Sequence, residues 1–135
     1  MKLRETIKKI LREEYQDTDI EILDVTDGFD VIITSNGEKV GEINFEHADD
    51  NDYTIVDANI DPSYRKKGIY QKSILKVFDK KPDIKIYSVF RSPEAERSWK
   101  MMVKNLPPDI EYSTKYYPEE NTRLYILKKI NNSIN

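Results

Sequence analysis

The stretch that decides the fold spans residues 54–70 and reads Thr54-Ile55-Val56-Asp57-Ala58-Asn59-Ile60-Asp61-Pro62-Ser63-Tyr64-Arg65-Lys66-Lys67-Gly68-Ile69-Tyr70. Its first part is apolar enough to predict a strand, and Asp61-Pro62 then marks a turn. A basic loop around Gly68 follows, and the apolar residues beyond it recur at helical spacing as far as Phe78. Because loop amides and a helix N-terminus both direct positive dipoles outward, this strand–loop–helix junction predicts a phosphate-binding site.

Composition limits the classes of function. The chain has 135 residues, which predicts a single domain over residues 1–135, and it has no cysteine to act as a nucleophile or metal ligand. The formal net charge of −3 argues against strong nucleic-acid binding, and no helix-turn-helix or zinc pattern is visible. Without a signal peptide or an apolar run of about 20 residues, we expect a cytoplasmic protein that does not span a membrane.

The first half of the chain predicts one helix followed by an antiparallel meander. The helix is indicated by apolar residues at helical spacing near the N-terminus, namely Leu3, Ile7, Ile10 and Leu11. Strands are predicted at residues 20–25, 29–34, 39–45 and 53–60, with a polar turn at residues 47–52. Asn36-Gly37 lies between the second and third strands and is a strong hairpin signal, because both residues accept positive φ.

The second half of the chain alternates between strands and helices. A helix is predicted at residues 68–80, a strand at 84–90, a helix at 92–106, strands at 110–116 and 123–130, and a frayed tail at 131–135. The second helix has the clearest start, because Ser92 can cap it, Pro93 suits its first position and Glu94 favours its dipole. The order predicts an α+β chain with a mixed sheet and a parallel crossover around the Gly68 helix.

In this arrangement the sequence resembles the GNAT superfamily of acyl-CoA-dependent N-acetyltransferases. The family's loop, Gln/Arg-x-x-Gly-x-Gly/Ala, corresponds to Arg65-Lys66-Lys67-Gly68-Ile69-Tyr70. Ser92, Ala95 and Trp99 stand roughly where the family often has Asn, Ala and Tyr. The resemblance covers about residues 29–130. It implies a GNAT-like α+β fold, with a mixed, mainly antiparallel central sheet, a splayed parallel pair and helices on both faces.

Three departures from the family pattern bear on the site. Tyr70 replaces the second small residue of the loop. Its side chain either crowds the pyrophosphate or turns onto the surface of the helix that follows the loop. Trp99 stands where the family often has a Tyr that protonates the leaving thiolate, and an indole N–H is not a practical acid. The family usually begins with a strand and then a helix pair that walls the acceptor pocket. This chain begins with one helix, so we expect a shortened or differently built acceptor side.

The resemblance implies that acetyl-CoA is the co-substrate and that no metal takes part. The strand residues would offer backbone groups to the pantetheine arm, and the loop would offer amides and positive charge to the pyrophosphate. Helix capping alone explains Ser92, and core packing is the simpler role for Trp99. The predicted cofactor contacts are Ala58, Asn59 and Ile60 for the arm, Arg65, Lys66, Lys67, Gly68, Ile69 and Tyr70 for the pyrophosphate, and Ser92 and Trp99.

The general base that leaves the amine neutral is an open choice between carboxylates. Asp57 lies among apolar residues of the central strand, which makes it one candidate, although a structural strand carboxylate is the simpler interpretation. Glu46 is the second candidate, and Asp52 is a rival near the same end of the sheet. His47 is the only histidine and lies in the predicted polar turn.

The resemblance implies an N-acetyltransferase that transfers an acetyl group from acetyl-CoA to an amine acceptor, and an open acceptor face favours an amine on a protein. The alternative is a catalytically inactive GNAT-fold binding protein that uses or has lost coenzyme A and acts through a protein partner. Tyr70 and Trp99 motivate that alternative. Neither a membrane nor nucleic acid is a predicted partner, and the sequence gives no indication of an oligomeric state.

Overall fold

The computed structural model describes residues 18–65, 68–88 and 92–130. The predicted first helix and the predicted frayed tail lie outside these residues. Within them, no helix is long and apolar enough to cross a membrane. The elements are β1 (Thr18–Val25), β2 (Gly28–Ser35), β3 (Glu38–Asp49), β4 (Asp52–Ile60), α1 (Ile69–Lys80), β5 (Lys85–Ser88), α2 (Pro93–Lys104), β6 (Ile110–Tyr117) and β7 (Thr122–Lys129), with 3₁₀ turns at Pro62–Tyr64 and Pro118–Glu120.

The described strands form one sheet, in the order β1-β2-β3-β4-β5-β7-β6. Neighbouring strands are antiparallel, except that β4 and β5 are parallel. Since α1 connects β4 to β5, the predicted parallel crossover around the Gly68 helix is confirmed. The mixed, mainly antiparallel sheet that the resemblance implies is confirmed as well.

Of the two turns predicted in the meander, one is found and the other is not. Asn36 and Gly37 have φ of 53° and 80° and close the β2–β3 hairpin, as predicted. The predicted polar turn at residues 47–52 was wrong, because β3 continues to Asp49. His47 is a strand residue whose ring lies 5.2 Å from that of Tyr53, and its Nε2 donates to the Asp50 carbonyl at 2.7 Å. These contacts hold a polar segment in extended form.

One face of the sheet, which we call the helix face, carries the hydrophobic core. Phe29 of β2 and Phe45 of β3 stack there with ring centroids 4.5 Å apart, and α1 packs beside β1 and β2. On α2, which contacts α1, Trp99 stacks on Tyr125 of β7 with centroids 6.1 Å apart. Both described helices therefore lie on the helix face. The resemblance implies helices on both faces of the sheet; the opposite face carries no helix among the described residues, and the predicted first helix lies outside them.

A β-bulge interrupts β4 at Val56. Ile55 pairs with Phe45 and Asp57 pairs with Asn44, so Val56 is an extra residue with no partner on β3. The described pairs between β4 and β5 end at Ile55 with Ser88, and the next four residues of β4 are exposed. The exposure of this half of β4 is what the splayed parallel pair implied by the resemblance would produce, and residues 89–91, which follow β5, lie outside the described residues.

The connection between β1 and β2 is a tight turn formed by Thr26 and Asp27, in which Asp27 has φ of 66°. Val25 and Gly28 are paired directly across it. No helix separates these two strands, although the family pattern places a helix pair after its first strand. This turn agrees with the expectation that the acceptor side is built differently from that of the family pattern.

Candidate active site

Gly68 forms the junction between the loop and α1. It has φ of 73°, in the left-handed region, where a residue with a side chain would be strained. A Cβ atom placed on Gly68 would meet no heavy atom within 4 Å. The glycine is therefore required by backbone conformation, and the space beside it is open to a ligand. Lys66 and Lys67, which complete the predicted loop, lie outside the described residues.

The N-terminus of α1 has no cap from its own chain among the described residues. No side chain there accepts a capping hydrogen bond, and the first turn contains no acidic residue. The helical hydrogen bonds begin with the Lys72 amide, which donates to the Gly68 carbonyl at 2.9 Å. The amides before it have no place in the helical ladder and carry the positive end of the helix dipole. This arrangement favours an anionic ligand.

Basic side chains add to the positive charge of this end of α1. Arg65 is exposed and its Nε donates to the Ile60 carbonyl at 2.8 Å, so the guanidinium is held between β4 and the loop. Burial, and then the charge of Lys76, lower the pKa of Lys72 below its ordinary value. Both effects disfavour the charged form of Lys72.

Beyond the bulge, β4 has the character of an edge strand. The Ala58 amide donates to Oδ1 of the preceding Asp57 at 2.9 Å. The same bond from residue to preceding aspartate occurs on β1, the outer strand of the sheet, where the Ile20 amide donates to Asp19 at 2.9 Å. Since a strand edge exposes unpaired amides, the exposed half of β4 offers backbone groups to an extended ligand.

Tyr70 points toward α2. Its hydroxyl accepts a hydrogen bond from Nε1 of Trp99 at 3.1 Å, and Trp99 is only 1% exposed. Of the two orientations left open by the sequence, the structure has the one that turns the phenol away from the loop. Trp99 packs in the core, as its simpler role requires, and a contact between Trp99 and the cofactor stays a prediction.

Ser92 caps α2. Its Oγ accepts from the Ala95 amide at 3.1 Å, with Pro93 at the first helical position, so the predicted helix start is confirmed. The predicted contact between Ser92 and the cofactor arm is a separate expectation and stays a prediction.

The two candidate bases lie on the face of the sheet opposite the helices, which we call the polar face. Asp57 borders an open groove of about 300 Å³ on β3 and β4, together with Glu42, Asn44 and Asn59. Strand alternation places Glu46 on the same face, although it does not line this groove. Asp52, the rival, accepts a long hydrogen bond of 3.4 Å from the Tyr87 hydroxyl.

Glu42 and Asn44, two of the β3 residues that line the groove, were not predicted. Asn44 donates to Asp30 and to Glu42, at 2.8 Å each. Hydrogen bonds from Lys39 and then Asn44 lower the pKa of the Glu42 carboxyl, which makes it a weaker base than an ordinary glutamate. The β3–β4 register, which pairs Asn44 with Asp57 and Glu42 with Asn59, is the signal that would have found them.

Known proteins resemble the chain in structure. No protein-family model matches the sequence, and no curated protein matches it. The ribosomal-protein-S18-alanine N-acetyltransferase from Escherichia coli superposes with a TM-score of 0.52 at 11% identity, over 87% of this chain and 99% of that one. An acetyltransferase of the GNAT family from Staphylococcus aureus gives a TM-score of 0.51 at 18% identity, over 77% and 68%. The chain has the GNAT fold.

A third GNAT-fold neighbour was solved with coenzyme A. This acetyltransferase from Bacillus subtilis superposes with a TM-score of 0.50 at 12% identity, over 79% of this chain and 80% of that one. At such identities the likeness establishes the GNAT fold, and the roles of individual residues in this chain are matters for proposal.

Proposed function

We propose that the protein is an N-acetyltransferase that transfers an acetyl group from acetyl-CoA to an amine. One observation carries the proposal. In a GNAT fold, the N-terminus of α1, which has no side-chain cap, begins at the open space beside Gly68, and Arg65 of the preceding loop bonds to the end of β4, where residues 56–59 are exposed. The first feature suits a diphosphate and the second suits an amide-bearing arm, and acetyl-CoA joins these two groups in one molecule.

The residues present fit coenzyme A. In the proposal, the backbone amides at residues 66–70 hold the diphosphate, and the Arg65 guanidinium adds charge beside them. Ala58, Asn59 and Ile60 offer strand-edge groups to the pantetheine arm. The bound thioester supplies the activated acetyl group, and the protein supplies proximity and a polar environment.

The amine would approach from the polar face. An amine nucleophile must be neutral before it attacks the thioester, so a carboxylate there would accept a proton from the ammonium form. Asp57 and Glu46 are the proposed candidates for this base, since both face that side of β4 and β3. When the amide bond forms and the C–S bond breaks, the leaving thiolate takes up a proton.

The acceptor is proposed to be a cationic amine on a protein or other large molecule. The groove on the polar face contains Glu42, Asp57 and Asp61, whose carboxylates favour a positively charged partner. Between β1 and β2 the chain makes a tight turn in place of the helix pair of the family pattern, which favours an exposed amine over a small enclosed metabolite. We keep the cytoplasm as the proposed location.

One observation favours the inactive binding protein as a second candidate. The position where the family often has a proton-donating Tyr is filled by the buried Trp99, whose N–H is bonded to Tyr70. A GNAT-fold protein without an acid at that position could bind coenzyme A and act through a protein partner without turnover.

Calorimetry with acetyl-CoA tests the site, with Gly68→Asp as the variant. The added carboxylate would oppose the diphosphate, and we expect the affinity to fall at least about tenfold. Gly37→Asp is the matched control, because Gly37 also has positive φ and open space within 4 Å of an added Cβ, yet lies in the β2–β3 hairpin. Equal affinity in wild type and Gly68→Asp would contradict the proposal.

A thiol-release assay with a panel of amines separates the two candidates. Release that depends on both acetyl-CoA and an amine supports the transferase. Binding of acetyl-CoA without release from any peptide, polyamine or small amine in the panel favours the binding protein.

A further inference from the structure

Two backbone groups on the exposed half of β4 are held by side chains of the same segment. The Ala58 amide donates to Asp57, and the Ile60 carbonyl accepts from Arg65. The Asp61 amide donates instead to a carbonyl of β3, at 2.8 Å. Because alternate residues of a strand direct their backbone groups to opposite sides, the groups of Ala58 and Ile60 face away from β3, toward the opening.

Together, the two side chains offer the same hydrogen-bonding groups as an amide, one acceptor and one donor. Asp57 offers an oxygen acceptor to an N–H, and Arg65 offers an N–H donor to a carbonyl. An extended ligand with amide groups would use its own C=O and N–H for the same two backbone partners. The same type of hydrogen bond, from an amide to the preceding aspartate, occurs on the outer strand β1 between Ile20 and Asp19.

We propose that Asp57 and Arg65 cap the β4 edge and that an amide-bearing arm binds by displacing them, which makes Asp57 a determinant of affinity for the arm. This inference rests on the proposed function, because the pantetheine arm of coenzyme A is the ligand of that chemistry. The inference goes beyond that function, because in it the Asp57 side chain competes with the ligand for the Ala58 amide.

Displacement also changes the partner of the Asp57 carboxylate. This side chain borders the groove on the polar face with Asn44 and Asn59. Once the arm takes the Ala58 amide, the carboxylate loses that hydrogen bond and turns to the groove, where the amine is proposed to bind. Binding of the donor therefore frees Asp57 for use as the base.

Two fragments of coenzyme A separate the arm from the nucleotide. Pantetheine carries the amide groups without the diphosphate, and adenosine 3′,5′-bisphosphate carries the nucleotide without the arm. Dissociation constants come from NMR titrations of the wild type, Asp57→Ala and Asp57→Asn. Alanine removes the acceptor and the charge, whereas asparagine removes the charge but keeps an oxygen that can accept from the Ala58 amide.

We expect Asp57→Ala to bind pantetheine about three- to tenfold more tightly than the wild type, the range of one net hydrogen bond. Asp57→Asn should stay within about twofold of the wild type, since its cap persists. Asp19→Ala is the matched control, because it removes the same charge and the same type of cap on β1. It should leave pantetheine binding unchanged. The Ala58 amide should exchange with solvent faster in Asp57→Ala, and thermal denaturation verifies folding.

The outcomes distinguish this inference from the proposed function. Equal pantetheine affinities in the wild type and Asp57→Ala, or no binding of pantetheine to either, overturn the cap. Tighter binding to Asp57→Asn as well as to Asp57→Ala assigns the effect to charge and also overturns it. If the bisphosphate fails to bind while Asp57→Ala gains affinity for pantetheine, the cap stands and the proposed diphosphate site falls.

Discussion

The N-termini of the two described helices are built in opposite ways. α2 begins with the Ser92 cap and Pro93 and carries Glu94 and Glu96 in its first turn. α1 begins at Gly68 in the left-handed conformation, with no side-chain cap and no acidic residue in its first turn. The start of α2 is completed by its own sequence. The start of α1 has no such group among the described residues, and we propose that its positive end binds an external anion.

This difference affects how each helix is stabilised. A side-chain cap contributes about 1 kcal/mol and an acidic first turn roughly 0.3–1 kcal/mol, and α1 has neither. Burial compensates on α1, where Ile69, Ile74, Val77 and Phe78 are each at most 4% exposed. Among the described residues, the helix start beside the candidate site thus has no capping or acidic side chain that would compete with an anionic ligand.

The largest expected effect comes from the bond that joins the two helices. Tyr70→Phe leaves the buried indole N–H of Trp99 without this acceptor, which should lower the free energy of unfolding by about 1–3 kcal/mol. Urea denaturation measures the change. Tyr112→Phe, at a tyrosine that is 48% exposed, is the control and should change stability by less than about 0.5 kcal/mol. Equal effects would show that the helices do not depend on this bond.

Ser92→Ala removes the cap of α2. We expect the unfolding free energy to fall by about 1 kcal/mol, because the Ala95 amide loses its acceptor. Ser92→Asp, which restores a capping oxygen, should recover most of the loss in the same urea titration. A loss of acetyl-CoA affinity in Ser92→Ala but not in Ser92→Asp would instead support the predicted contact with the arm.

Gln71→Glu gives α1 an acidic first turn like that of α2. In the absence of ligand the variant should gain about 0.3–1 kcal/mol of stability, because the carboxylate lies near the positive end of the helix. The same charge should weaken acetyl-CoA binding about three- to tenfold. Gln71→Ala separates loss of the amide from gain of the charge. A variant that gains stability with unchanged affinity would place the anion elsewhere.

The smallest expected effect concerns Lys72. Because its pKa is lowered in the folded chain, the unfolded chain binds more protons, and stability rises with pH up to the ordinary lysine pKa of 10.5. Lys72→Met should remove this part of the pH dependence, measured by urea denaturation at neutral and alkaline pH. Lys100→Met, which removes a lysine from α2 that lies 3.9 Å from Glu96, is the control. An unchanged pH profile in Lys72→Met would show that Lys72 is not the source of this dependence.

Much of the fold could be predicted because local signals were strong. Asn36-Gly37 fixes a hairpin and Ser92-Pro93-Glu94 fixes a helix start, since each needs only neighbouring residues. The extension of β3 through His47 was missed because its support comes from the ring of Tyr53 and the carbonyl of Asp50, which the polar composition does not indicate.

The site was harder to predict than the fold. The bulge at Val56 has no signal in residue type, because valine suits a regular strand equally well. The bond between Tyr70 and Trp99 joins residues 29 positions apart, and the groove depends on the β3–β4 register. Such features follow from tertiary packing, so Glu42, Asn44 and the edge caps became visible only in three dimensions.

The unpaired Val56 also decides which face of the sheet each later side chain of β4 occupies. Counting outward from Ile55, one additional residue keeps Ile60 among the core side chains and keeps Asp57 and Asn59 on the opposite surface. If the same residues ran as a regular strand, with Val56 taking the place opposite Asn44, every later side chain would exchange sides. Asp57 would then lie in the hydrophobic core, and Ile60 would be exposed to solvent. The polarity of the entire junction therefore depends on a single supernumerary valine.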